Sequence, residues 1–540
     1  MSKISIVALF AVAIITIAGC GGGSSTPPPV VNPPTVSPAT ATVPIGGTQQ
    51  FTAANFSGTV TWSLNPQVGT IDANGLYHAP ATFPSPSSLT VIASAGGTTA
   101  NASAAVVFPN DNAGAESAPI KLGSSGANAL DVGAKVCCIG TLGSLWTKGA
   151  ATVILSNNHV LARSDQATVG EAIQQPGQNA CFTAPINVAN LTAKAALTPA
   201  GTTQGRTGAA PSNVDAAVAT IIAGQVDLAG TILDLGAAGS TNIAAAPPSS
   251  TVAVPAIGMA VGKSGRTTGL TCSSISSINT SVQVAYETAC GSGVTNFNAT
   301  FANQVVINGG SFSAGGDSGS LVVTTDNARP VALLYGGSPT DTVANPIQDV
   351  IAALSLVPIA GNPDHAVSCA HTATAGSTQV GATQATLVPQ ERQRVAAVQQ
   401  RRAQALMRDF PISSVEVGAS ADNPAEGALI LHVSGRSVAA VSPVIDGVRT
   451  RLVVDVGSGV QLPSVGQAQV DRATAVKEAH VAEWMGQSGI QGVGVTLSLD
   501  NPAETAVSIY VVKGSTHPPI PAVLDGVRTR VFEGDRFKAY

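Results

Sequence analysis

Three short stretches of this chain hold residue types that could act together on an acyl group: His159 in "SNNHVLA" (156–162), Asp215 in "NVDAAVA" (213–219) and Ser318 in "GGDSGS" (315–320). A serine hydroxyl is a weak nucleophile near neutral pH and needs an imidazole to take its proton. The imidazole in turn needs a buried carboxylate to fix its tautomer and to stabilise its charged form. The order is His, Asp, Ser, with gaps of 56 and 103 residues. His159 alone would read as a buried core histidine; in this company it reads as a general base. Asp227 and Asp234 follow closely, but Asp215 heads an apolar, strand-like run and is the preferred carboxylate. The glycines around Ser318 have a chemical reading too. Backbone N–H groups can converge on an oxyanion only in a tight turn, which glycine permits, and the donors expected here are those of Gly316 and Ser318.

The elements that must position these groups are short strands. Only 10% of the 540 residues are charged and 4% aromatic, and the chain holds 57 glycines. With its many Ala, Ser, Thr and Val residues, this composition favours strands joined by tight turns. The formal net charge of -5, with no basic run among aromatics, argues against nucleic acid as a partner. No Cys/His spacing argues for a metal, and no cofactor is expected.

The first residues read as an export signal: Lys3, the apolar stretch 4–17, then small residues up to Cys20. Fourteen residues are short of the roughly 20 a membrane span needs. The segment "IAGC" resembles the lipobox of bacterial lipoproteins, which makes 1–19 a signal peptide and Cys20 the site of lipid attachment. Gly21 resembles a signal for onward transport to an outer membrane. Residues 20–34 are a Gly/Ser/Pro tether. An exported chain with six further cysteines (137, 138, 181, 272, 290 and 369) suggests up to three disulfides, with Cys272 to Cys290 the plausible local bridge.

Residues 35–108 alternate apolar and polar positions between turn signals, which predicts a small sandwich. The segment "GTIDANGLYHAP" with Trp62 upstream resembles bacterial immunoglobulin-like domains and implies a spacer. Residues 119–365 resemble a chymotrypsin-type serine peptidase of the bacterial branch, carried by "ILSNNHVLA", "VDAAVA" and "GGDSGSLV". The resemblance implies two β-barrels with the active site between them, in a domain placed at 119–369. It implies His159 as general base, Asp215 as its orienting carboxylate and Ser318 as nucleophile, acting on protein or peptide substrates. It also implies that "ALLYGGS" (332–338) is the strand along which a substrate backbone pairs, with Tyr335, Gly336 and Gly337 lining the primary pocket.

The chain departs from the family at three places. No cysteine adjoins His159. Phe312 stands six residues before the nucleophile, where tryptic enzymes hold an aspartate, so it is assigned to the pocket and cleavage after Lys or Arg is not expected. Because a domain precedes the barrel, a freed N-terminus cannot easily bury itself against Asp317, and another group must hold that loop. Arg266 is read as part of a structural turn.

Charge divides the rest. Residues 1–370 carry 10 of the 25 Lys+Arg and 15 of the 30 Asp+Glu, leaving 15 of each to the last 170. After a linker at 370–390, an internal repeat follows: "ADNPAEGALILHV" with "DGVRTRLVV" recurs as "LDNPAETAVSIYV" with "DGVRTRVFE". A helical stretch precedes each copy, which predicts two α+β halves at 391–460 and 468–540. The repeated "DGVRTR" is open to a ligand-binding reading, but is taken as a turn into an edge strand with solvated arginines. The fold expected is therefore mainly β: an immunoglobulin-like β-sandwich, a double β-barrel and a duplicated α+β C-terminal region. Two functions fit, an exported serine endopeptidase tied to the cell envelope by its N-terminal lipid, or a surface adhesion protein on a non-catalytic barrel.

Overall fold

The computed structural model describes residues 32–131 apart from 83, 85 and 108, then 139–177, 185–199, 214–287, 294–369, 387–433, 441–454 and 465–539. Cys20, Cys137, Cys138, Cys181 and Cys290 lie outside the described residues. The fold is mostly β, with four helices among the described residues.

The N-terminal unit packs a four-stranded sheet (Thr40–Pro44, Thr98–Val107, Ser88–Ala95, Thr61–Asn65 in spatial order) with a three-stranded one (Thr48–Gln50, Leu76–His78, Thr70–Ile71). Alternation sets which side is buried: along Ser88–Ala95 every second residue (Leu89, Val91, Ala93, Ala95) is in the core.

Two larger sheets follow. In the first the order is Gly140–Leu142, Ser124–Asn128, Ala172–Gln175, Ile186–Lys194, Ala217–Ile221, Ala151–Ser156, Ser144–Lys148 and Val357–Pro358. Gly140–Leu142 and Ser144–Lys148 are one run broken at Gly143, so the sheet returns on itself. The second runs Ala260–Gly265, Leu321–Thr324, Pro330–Gly337, Asp341–Pro346, Thr295–Asn308, Gly269–Glu287, and the last of these pairs back to Ala260–Gly265. This ring of six is also closed. The Cys272 to Cys290 bridge expected from proximity is not the one formed: Cys272 bonds Cys369, 97 residues on, and ties the end of this unit to its second sheet.

Beyond it come two assemblies with one topology. Helix Pro389–Asp409 packs on strands in the order Ile412–Ala419, Gly427–Val433, Val448–Val454, Val444–Ile445. Helix Gln467–Met485 packs on Ile490–Leu497, Thr505–Val512, Val527–Gly534, Val523–Leu524. The first helix begins at Pro389, just inside the expected linker. The second assembly does not stand alone, because Ile490–Leu497 pairs antiparallel with Gly269–Glu287 and continues the second sheet.

The "DGVRTR" turns form as expected, with Asp446 and Gly447 at φ 47° and 77° and Asp525 and Gly526 at 45° and 75°. The solvated arginines do not. Arg449 and Arg528 are 4% and 6% exposed, because each reaches into the other copy. Arg449 bonds Asp500 (3.2 Å), Ser498 (2.9 Å) and Glu504 (2.6 Å), while Arg528 bonds Asp422 (3.2 Å), Ser420 (2.8 Å) and Glu426. Buried charges persist only when paired and hydrogen-bonded in this way.

Candidate active site

Strand Ala151–Ser156 ends in the single helical turn Asn158–Leu161, which carries His159. The neighbouring strand Ala217–Ile221 is preceded by Asp215, fully buried. His159 Nδ1 lies 2.6 Å from Asp215 Oδ2, and the His159 main-chain N–H donates to Oδ1 at 3.2 Å. One carboxylate thus fixes both ring and backbone of the histidine. A buried carboxylate needs further donors, and Tyr286 supplies one, donating from its hydroxyl to Oδ2 at 2.7 Å. Burial, with Asp215 alongside, pushes the Tyr286 phenol well above its ordinary range, so it remains a donor. The Asp215 main chain is clamped as well. Asn157 donates to its carbonyl at 2.7 Å, and Asn345 both accepts from its N–H and donates to its carbonyl at 3.2 Å.

Ser318 lies in the tight loop before Leu321–Thr324, fully buried, with Oγ 3.2 Å from the Tyr335 carbonyl. The loop sits on the histidine segment. The Thr141 N–H donates to the Ser318 carbonyl at 2.7 Å, and Ser156 Oγ donates to the Thr141 carbonyl at 2.7 Å. A β-carbon at Gly140 would fall 2.4 Å from Val160 Cγ2 and 3.0 Å from the Ser318 carbonyl, so the turn bearing His159 and the loop bearing Ser318 meet over one glycine.

The loop's peptide planes are set by their carbonyls. Thr267 Oγ1 donates to the Gly315 carbonyl at 2.7 Å, and the Asp317 carbonyl accepts from Ser320 Oγ at 2.6 Å and Ser320 N–H at 3.0 Å. In a trans peptide the following N–H points the opposite way, which orients those of Gly316 and Ser318. Gly316 is at φ +98°, and a β-carbon there would meet Thr267 Oγ1 at 2.5 Å and Arg266 Cδ at 3.1 Å. Only glycine suits that position.

The group that holds Asp317 is internal. Its carboxylate accepts from the N–H groups of Thr267 (2.8 Å), Thr268 (3.1 Å) and Ala314 (3.0 Å) and from Thr268 Oγ1 (2.7 Å). Lys263 Nζ, also fully buried, lies 3.5 Å away. Burial lowers the lysine's pKa, and the Asp317 charge works against that shift. Arg266, read as a turn residue, donates its N–H to Thr141 Oγ1 at 3.0 Å and lays its side chain beside Gly316.

Phe312 is 2% exposed in a cluster with Val261, Ile275, Val331 and Leu334, its ring centroid 5.8 Å from Lys263 Nζ. The Tyr335 ring packs on Phe301 at 4.8 Å, and Phe301 lies 6.3 Å from Tyr286. Gly336 and Gly337 pair with Val343 and Thr342 on one edge and with Ala539 and Lys538 on the other.

Tyr286, Asn345 and Lys263 were not singled out in the sequence. Nothing in "SVQVAYE" or "DTVANP" marks a residue that reaches Asp215. Lys263, a lone cation in the small-residue run "MAVGKSG", carried a signal, since a buried lysine needs an acid. Asn157 stood in the quoted histidine motif without a role.

No family model and no curated protein matches this chain. Among solved structures it is similar to a glutamic-acid-specific serine protease (18% identity over 44% of this chain and 100% of the other, TM-score 0.30). It is likewise similar to Protease A of Thermobifida fusca (16%, 45% and 99%, 0.29) and to a Nocardiopsis protease (15%, 41% and 92%, 0.27).

Proposed function

We propose that this chain is an exported serine endopeptidase. The observation that carries the reading is the buried Asp215 carboxylate, which holds His159 by ring and backbone beside the loop of Ser318. Ser318 Oγ attacks the scissile carbonyl as His159 takes its proton. The N–H groups of Gly316 and Ser318 receive the oxyanion. Collapse expels the amine, protonated by His159, and leaves an acyl-serine; water, deprotonated by the same imidazole, then releases the acid. Tyr335, Gly336 and Gly337 pair with the substrate backbone. Phe312, packed in the core six residues before Ser318, leaves no acid at that position, so cleavage after Lys or Arg is not expected. Residues 35–108 act as an immunoglobulin-like spacer, and lipid on Cys20 ties the chain to the cell envelope, on the outer membrane or cell surface. The two α+β copies form a duplicated accessory region.

Labelling of residues 20–540 with a fluorophosphonate tests this. Covalent label is expected on the parent chain and on neither Ser318→Ala nor His159→Ala. Absence of label from every form, including one ending at Arg536, overturns the reading.

A further inference from the structure

The strand Pro330–Gly337 has two edges where a partner backbone could bond. Toward its end one edge is taken by Asp341–Pro346, with Gly336 opposite Val343 and Gly337 opposite Thr342. An incoming peptide would have to add to the other edge, as extended ligands do on open sheets. That edge is already filled by the end of this same chain. Strand Lys538–Ala539 pairs antiparallel there, Ala539 opposite Gly336 and Lys538 opposite Gly337, while Lys538 also pairs with Ala285 of the long strand Gly269–Glu287. The approach is close enough that a β-carbon on Gly336 would sit 2.4 Å from the Lys538 carbonyl oxygen.

The segment is anchored by more than its ladder. Phe537 is 2% exposed, its ring edge-on to Tyr510 at 5.7 Å, in the apolar cluster that also holds Tyr286, Phe301 and Tyr335. Its carbonyl accepts from the Ala285 N–H at 3.0 Å, and its own N–H donates to Gln491 Oε1 at 3.1 Å, while Gln491 Nε2 donates to the Asp535 carbonyl at 2.9 Å. Gln491 belongs to the strand Ile490–Leu497 that pairs with Gly269–Glu287. The second α+β copy therefore grips the peptidase unit along one seam and from it lays three residues along the edge beside Ser318.

We propose that this second copy is a tethered inhibitor, whose segment Phe537–Ala539 occupies the seat of the substrate backbone and keeps the chain latent toward extended substrates. The proposal rests on the serine-peptidase reading, which supplies the identity of the seat, and the two are separable by experiment. Binding of fluorescein-labelled casein, followed by anisotropy, is compared for three forms of residues 20–540 that carry Ser318→Ala: the full chain, a chain ending at Arg536, and Phe537→Ala. Thermal unfolding verifies that each is folded, and the point variant stands in if the truncated chain is not. At least ten-fold tighter binding is expected for the altered forms. Equal binding by all three, or by none, overturns the proposal. With Ser318 restored, the same two changes are expected to raise casein turnover at least ten-fold. A binding shift without any turnover retains the occupied seat and overturns the peptidase reading instead.

Discussion

The two α+β copies share a strand order and a buried Asp/Arg exchange, yet one ends its sheet in solvent and the other joins the sheet of Gly269–Glu287. The difference lies in their first strands. In Ile412–Ala419, Ser413 and Glu416 are exposed, and the strand pairs only with Gly427–Val433 among the described residues. A charge on an edge strand discourages further pairing. At a spacing of 78 residues, Ser414 corresponds to Gly492 and Glu416 to Gly494, and seven of the eight residues of Ile490–Leu497 are buried. The glycines let the neighbour approach: a β-carbon at Gly494 would fall 2.4 Å from Thr280 Oγ1 and 2.7 Å from Ser277 Oγ. Hydroxyls complete the seam, with Thr496 Oγ1 donating to the Ser276 carbonyl at 2.6 Å and Ser277 Oγ to the Val495 carbonyl at 2.9 Å. Lys477, fully buried on the second helix, donates to Ser281 Oγ at 3.1 Å. Two or three side chains decide whether one topology is a free module or a docked one.

The most severe break is Gly494→Glu, which gives the docked copy the edge of the free one. Overpacking with a buried charge is expected to cost about 4 to 5 kcal/mol and to separate the C-terminal unfolding transition from the rest in calorimetry. The reciprocal Glu416→Gly is expected to stay within about 0.5 kcal/mol. The shared exchange is the control. Arg449→Ala and Arg528→Ala each strand buried carboxylates in the opposite copy, and each is expected to lose about 3 kcal/mol in denaturant unfolding. A large inequality between them would mean that docking, not the exchange, holds the copies together. A smaller effect is expected where the seam's long strand reaches Asp215. Tyr286→Phe removes a donor to Asp215 while retaining the ring, and turnover of the chain ending at Arg536 should fall about ten-fold, or ~1.4 kcal/mol in barrier, with KM unchanged.

The smallest difference concerns pH. The helix-to-turn link is Arg402 to Asp446 in the first copy (2.8 and 2.9 Å) and His480 to Asp525 in the second (2.7 Å). The hydrogen bond that His480 donates to Asp525 raises the His480 pKa. Its stabilisation is therefore fully present below the ordinary histidine value near 6.5 and is lost as pH rises through the raised value. For a pair this exposed the expected loss is a few tenths of a kcal/mol, removed by His480→Gln. The Arg402 link changes at the other end of the scale: Arg402 depresses the Asp446 pKa, so its contribution is lost only as pH falls through that value.

How much was legible follows from what makes a local signal. His159, Asp215 and Ser318 could be chosen because each sits in a short motif, and their order narrowed the chemistry to acyl transfer. The repeat was legible because duplicated residues stand beside duplicated turns. Arg449 and Arg528 of "DGVRTR" read as solvated in the sequence because their partners, Asp500 and Asp422, belong to the opposite copies, and no local window contains both. The Cys272 bridge failed for the same reason, since proximity in sequence favoured Cys290 over a partner 97 residues away.

By itself, the sequence determined the β-rich composition, the strand and turn periodicities, the two helices with their duplicated strands and the three residue types that can perform acyl transfer. These follow from side-chain chemistry and backbone preference within a few residues. Tertiary structure alone decided that Tyr286 reaches Asp215, that the turn of Thr267 and Thr268, with Lys263 beside it, holds Asp317, and that the strand Lys538–Ala539 closes the edge at Gly336. Each is a contact between segments far apart in the chain, selected by which edges and buried charges were left unsatisfied once the local elements had formed.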